Sequence, residues 1–355
     1  MMTVSVIRPT RLLVLIAVLL IGCTEPIDLA NNLGGGQLVV EGSINDVDSV
    51  HVVRLSTSSF DGVGENTLGR NARVTITDLA SDQAHTLNEV FPGSYETTPW
   101  ELQGIIGQSY RLDIVLANGQ SYASDAVTIP ESIPVSNTEV KLLEERGTLD
   151  NGTPFVTYAH EVLVDFENSE RPQYVRIESQ GWIELFVDYG LCDEVLGGFG
   201  IPGELSCWQF RETIESNINT ATNIGVDTDM YQVSAVVVPF DFRAGYVTEL
   251  FINSMSLEAF AYWELAKTQL QRNGGIFDPP FPPVVGNVIN TDGDAEPVLG
   301  YFHAYSQSFI RTCFDRTGIP GMLNIPVLDC LTTCEDFWAP AVFELPFETE
   351  GLCPI

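Results

Sequence analysis

Only one stretch of this chain reads as a long helix, and its isolation commits nearly everything else to strand and turn. It lies at the start of Ser256–Tyr305. Ser256 can accept a backbone N–H at the first turn, Glu258 suits the positive helix end, and Gly274 with Gly275 supplies a stop. The spacing therefore predicts a helix over 257–272. At 100° per residue Ala259, Tyr262, Trp263, Leu265, Ala266 and Leu270 share a wide face, while Glu264, Lys267, Thr268 and Gln271 gather opposite. Such a helix is expected to lie on a sheet. Phe260 falls on the polar side, where either a following loop covers its ring or a partner does. The run Asp278-Pro279-Pro280-Phe281-Pro282-Pro283 then excludes helix and central strand, so it is expected to wrap the surface in extended form.

Ahead of the helix, LVVEGSI, HVVRLSTS, ARVTITD, HTLNEV, SYRLDIVL and QSYASDAVTI are short, β-branched and separated by turn residues. That rhythm predicts a β-sandwich over 37–130. Asn118-Gly119 marks a tight hairpin with both turn positions at positive φ. Ile129-Pro130-Glu131-Ser132-Ile133-Pro134 has little to pack, so 131–137 reads as a hinge to a second domain, 138–355. There, 161–166, 174–178 and 181–186 alternate as strands, the apolar run Val233–Phe242 reads as a central strand, and 246–253 leads into the helix. The fold class expected is mainly β.

The beginning of the chain says where it works. Arg8 and Arg11 precede an apolar run, Leu12–Ile21, that is too short to span a bilayer, and Leu20-Ile21-Gly22-Cys23 is a lipobox. Residues 1–22 are read as a lipoprotein signal peptide and Cys23 as the lipidated N-terminus, its acyl chains (palmitate among them) holding the protein in a membrane. Thr24 in place of an acidic residue favours the outer membrane by analogy with lipoprotein sorting; which face is left open. Residues 23–36, ending in three glycines, read as a flexible tether.

Removing 1–22 takes away two arginines and no acids, which leaves 14 basic against 48 acidic residues, a net of −34. This excludes nucleic acid as a partner and gives an acidic surface suited to solubility or to a cation-rich surroundings. Six cysteines follow Cys23: Cys192, Cys207, Cys313, Cys330, Cys334 and Cys353. An even number in an oxidising compartment predicts three disulfides, Cys192 with Cys207 closing a Gly-rich excursion and the other four stapling the C-terminal segment.

Catalytic patterns are missing. His51, His85, His160 and His303 belong to no H-E-x-x-H or H-x-H motif, there is no G-x-S-x-G elbow, and Gly62-Val63-Gly64 lacks the third glycine of a nucleotide loop. The chain is therefore expected not to be an enzyme and to carry no cofactor. Asn290, Asp292, Asp294 and Glu296 place alternate oxygens around Gly293, a weak calcium pattern whose glycine and final acid are out of place; ordinary turn chemistry uses the same residues. Phe260, Phe277, Phe281, Tyr301 and His303 bring rings and prolines together and are expected either to form a docking surface for a membrane partner or to pack among themselves.

Two resemblances add to this. Gly93-Ser94-Tyr95, with Gly104 and Gly107-Gln108-Ser109-Tyr110, is similar to exported Ig-like or transthyretin-like modules. The expected fold is thus an N-terminal Ig-like or transthyretin-like sandwich followed by a β-rich domain with one helix and a disulfide-stapled end. The phrases SLEAFAYW, GIFDP, GNVIN and EPVLGYF, in that order, resemble the DUF4249 lipoproteins of Bacteroidetes-type bacteria. That resemblance implies a gene neighbourhood with TonB-dependent outer-membrane receptors, and hence an accessory or ligand-binding lipoprotein of such a transporter. A cell-surface structural or adhesive protein is the alternative.

Overall fold

The computed structural model describes residues 36–58, 69–148, 152–167, 169–188, 204–212, 218–224, 230–240, 245–271, 284, 286–293, 297–314 and 341–342. The first half holds β1 (Leu38–Asn45), β2 (Val52–Thr57), β3 (Arg73–Asp78), β4 (Gln83–Thr86), β5 (Asn88–Phe91), β6 (Ser94–Glu96), β7 (Ser109–Val115), β8 (Ser121–Ser124) and β9 (Val127–Thr128); HTLNEV and QSYASDAVTI, each read as one strand, divide between two, and β6 lies in none of the expected segments. The second half holds β10 (Val135–Thr148), β11 (Pro154–Phe166), β12 (Tyr174–Asp188), β13 (Glu204–Glu212), β14 (Asn219–Thr222), β15 (Val233–Pro239) and β16 (Tyr246–Met255). Helix α1 (Leu257–Leu270), β17 (Val288–Asn290), β18 (Leu299–Phe314) and β19 (Ala341–Val342) complete it. The chain is mainly β.

Three sheets form. The largest runs β19-β13-β12-β16-β18-β1-β2-β6-β5, with β14 beside β12; a second runs β17-β8-β7-β3-β4, with β9 beside β7; the third is β10-β11-β15. Val40, Ile44, Val53, Leu55 and Phe302 of the large sheet pack on Val74, Ile76, Leu112 and Ile114 of the second, which makes a sandwich core. A separate core joins β11 and β15 to the other end of the large sheet through Val162, Val164, Val236, Leu250 and Ile252. Tyr95 shows how polar atoms are admitted to the first core: its hydroxyl donates to the Gly69 carbonyl at 2.6 Å and accepts from the Ala72 amide at 2.8 Å. Tyr95→Phe would leave two backbone groups unpaired, and urea denaturation should report a loss of about 1–3 kcal/mol.

The large sheet crosses the expected domain boundary. Strand β1 lies parallel to β18, Val40 opposite Gly300 and Asn45 opposite Tyr305, and β17 pairs with β8. Residues of 288–304 thus belong to the first core although they come late in the chain. Nor does 131–137 hang free as a hinge. The Ile133 amide donates to Ser254 Oγ at 3.0 Å, the Ser132 and Ser308 hydroxyls are 2.8 Å apart, and β10 begins at Val135.

Other expectations are corrected in register and place. Val233–Pro239 is an edge strand of the smallest sheet; the central strand is β16, buried at nine of ten positions, which β12 and β18 flank. The Asn118-Gly119 hairpin forms, but only Gly119 has positive φ, at 91°. Its amide donates to the Leu116 carbonyl at 2.9 Å while Asn118 Oδ1 accepts from the Gln120 amide at 3.0 Å, so the loop is a turn closed by a left-handed glycine.

Helix α1 starts as expected, with Ser256 Oγ accepting from the Ala259 amide at 3.2 Å. Its inward face is rotated from the expected one. Leu265 is 58% exposed, whereas Phe260 packs on Tyr174 at 5.2 Å and Lys267 Nζ reaches Thr220 at 3.0 Å. Glu264 also hydrogen-bonds Thr220. The sheet surface beneath the helix is polar, so the side that meets it is aromatic and polar rather than aliphatic.

Candidate functional site: a roofed cavity on the polar sheet face

Alternation along the strands creates this surface. Since Val40, Ile44, Phe302 and Ala304 enter the sandwich core, their odd-numbered neighbours on β1 and β18 stand on the opposite face. There Glu41 lies opposite Tyr301, Ser43 opposite His303, and Asn45 opposite Tyr305. Strand β12 adds Arg176 and Glu178, and α1 contributes Tyr262 and Trp263 from above; together they line a cavity of about 630 Å³. That is ample for a small molecule.

A connected set of side chains holds the floor. Arg176 lies 3.9 Å over the Trp263 ring and 2.8 Å from Glu178, whose other oxygen accepts from Asn253 Nδ2 at 3.0 Å. Asn253 Oδ1 in turn accepts from Gln307 Nε2 at 2.9 Å, and Asn45 Nδ2 donates to the Tyr305 hydroxyl at 2.9 Å. Cation–π stacking fixes the guanidinium as much as its ion pair does. Tyr262 and Tyr301 lie with centroids 4.7 Å apart and planes at 30°. Burial, followed by the nearby charges of Glu258 and Asp125, pushes the Tyr301 phenol up to about 12, so it stays a protonated donor.

His303 is the most perturbed group. Only 8% exposed, it sits edge-on to Trp263 at 5.7 Å and stacks on Tyr305 at 5.4 Å. Burial first and the Arg176 charge second push its imidazole down to about 3, against a weaker opposing hydrogen bond to the Gly42 backbone. It is a neutral ring. Its Nδ1 has no partner, and neither does the Trp263 Nε1 donor.

The residues expected either to form a docking surface or to pack among themselves fall in different places. Tyr301 and His303 line the cavity under the helix, and Phe260 is turned onto Tyr174. Phe277 and Phe281 lie outside the described residues. Of the calcium candidates, Asn290 Oδ1 accepts from the Asp292 amide and Asp292 Oδ2 from the Ser121 amide, both at 2.7 Å, which ties the turn to β8; Asp294 and Glu296 are outside the described residues. No group of three or more His, Cys, Asp or Glu side chains able to hold a metal occurs among the described residues. Cys313 is disulfide-bonded. Cys23, Cys192, Cys330, Cys334, Cys353 and the Cys207 side chain fall outside the described residues.

Sequence reasoning missed Arg176, Glu178 and Glu41, and placed Trp263 only by helical face. A signal existed: polar or aromatic residues alternate in Glu41-x-Ser43-x-Asn45, Arg176-x-Glu178 and Tyr301-x-His303-x-Tyr305-x-Gln307. Alternation alone reads as a solvent face; burial under a helix makes it a site.

Fold and cavity together define a mainly β protein with a helix-roofed chamber of aromatic and hydrogen-bonding side chains. Over residues 24–311 the sequence matches the family described as Domain of unknown function (DUF4249), and the chain belongs to that family. No match was found among curated proteins.

Proposed function

We propose that the mature chain is an outer-membrane-anchored, non-catalytic lipoprotein serving as a ligand-binding accessory of a TonB-dependent transporter. The single observation behind this reading is the roofed cavity, since a spacer needs no such chamber. Anchoring rests on Leu20-Ile21-Gly22-Cys23 and the glycine-ended tether. Among the described residues no helix is long and apolar enough to cross a membrane, so attachment in this proposal falls to the lipid. The Ig-like or transthyretin-like first half would serve as a platform, and three disulfides including Cys313 would staple the second.

Two measurements test it. The wild-type chain should label with palmitate and sediment with membranes, and Cys23→Ser should do neither. Solubilised in detergent, the wild type should recover a large β-barrel identifiable by mass spectrometry. The adhesive reading finds support in the β10–β11 ribbon, where Leu142 and Val156 are each 47% exposed. Cell–cell attachment that depends on those residues, with no barrel recovered, would decide for it.

A further inference from the structure

We propose that the cavity under α1 binds a neutral polyhydroxylated ring, a saccharide of one or two units; this rests on reading the cavity as a ligand site. Three observations point to that class. The first is a pair of unpartnered buried atoms on two of its lining residues, the ring nitrogen His303 Nδ1 and the donor Trp263 Nε1. A buried polar group without a partner costs free energy, and hydroxyls, which both donate and accept, satisfy the two together.

The second is charge. Glu41 and Glu178 are balanced by Arg54 and Arg176 around the cavity, and His303 stays neutral, so the wall selects neither an anion nor a cation by net charge. The third is shape. The floor is the face of a hydrogen-bonded sheet, not its edge, so it offers an extended peptide no backbone ladder. What it does offer is flat aromatic surface at Tyr262 and Tyr301 beside the planar amides of Asn45 and Gln307, which suits a ring with an apolar face and a hydroxylated rim. About 630 Å³ accommodates one or two such rings.

Saturation-transfer NMR on the full mature chain tests the class. The neutral probes are glucose, N-acetylglucosamine, maltose and xylobiose; galacturonate and choline are the charged ones. At least one neutral probe should receive saturation on its ring protons. Its affinity should fall at least tenfold, about 1.4 kcal/mol, in Trp263→Phe, which keeps an aromatic ring under Arg176 but removes the N–H. Tyr262→Leu, which keeps apolar volume against Tyr301 but removes the flat ring, should weaken binding comparably. Silence from every neutral probe overturns the proposal, as does saccharide binding that both variants retain. A charged probe that binds in place of the neutral ones and is lost in Trp263→Phe also overturns the saccharide class while leaving the ligand-site reading intact. Recovery of the β-barrel is scored separately, so the failure of one does not imply failure of the other.

Discussion

Replacing Gly300 with alanine is expected to destabilise the protein by on the order of 3 kcal/mol or more. Gly300 holds φ at +82°, and a Cβ built there would meet the Val40 carbonyl oxygen at 2.0 Å. Backbone cannot swing away as a flexible side chain can, and Val40 is the strand partner of Gly300 in the parallel β1–β18 pairing. The clash therefore falls on the seam that joins the first strand to the last long one. Gly119→Ala is the control, because that glycine has φ +91° with nothing within 4 Å of its would-be Cβ. Alanine there suffers only left-handed strain, roughly 1 kcal/mol. Urea midpoints should separate the two variants widely; equal losses would show that close approach at β1 contributes nothing.

Lowering the pH below neutrality should weaken the fold in a way that His303→Gln largely removes. The unfolded imidazole titrates near 6.5, while the folded one is pushed down to about 3. Above 6.5 both states are neutral and nothing is lost. Between 6.5 and 3 the unfolded chain takes a proton that the folded chain refuses, so stability declines as pH falls and the loss is complete only near 3. The full effect is on the order of a few kcal/mol, and roughly half of it should be visible between about pH 7 and pH 4.5. His51, held neutral by its own burial, acts in the same direction. The 48 acidic residues are the same in wild type and variant, so the comparison isolates the histidine. Parallel pH dependences for the two proteins would contradict this account of the buried ring.

What could be read from the sequence was what local chemistry determines. Alternating runs such as Arg73–Asp78 and Ser109–Val115 became strands, and Ser256 capped α1 because its side chain serves only the turn that follows. Pairing was another matter. Nothing in LVVEGSIN names its partner as residues 299–305, since an alternating strand specifies a face and not a neighbour. Val233–Pro239 misled for a related reason: its valines are apolar enough for a sheet centre, but they sit on an edge whose inner side meets Val162 and Val164. Polar strands were harder still. In β10 the segment Glu139–Glu145 carries four charged residues, and its hairpin with β11 was invisible to a search for buried alternation. The helix orientation failed because the wheel assumed an apolar floor. Arg176, Glu178, His303 and Tyr305 made the floor polar, and Trp263, Glu264 and Lys267 answered it.

The β1–β18 seam also constrains the order in which the molecule can be assembled. An amide of Asn45 bonds the hydroxyl of Tyr305 across 260 positions of chain. During synthesis, β1 can gain β2 by a short turn, but its other edge stays open until β18 arrives. Contacts this distant in sequence close slowly, and an unpaired edge is a template for association with other chains. The first half cannot be excised at residue 130 as a self-sufficient module, because the cut removes Val288, Val298, Phe302 and Ala304 from its core. A nascent chain that stalled before residue 299 would present β1 as an open border, with the edge that β18 pairs left without its neighbour.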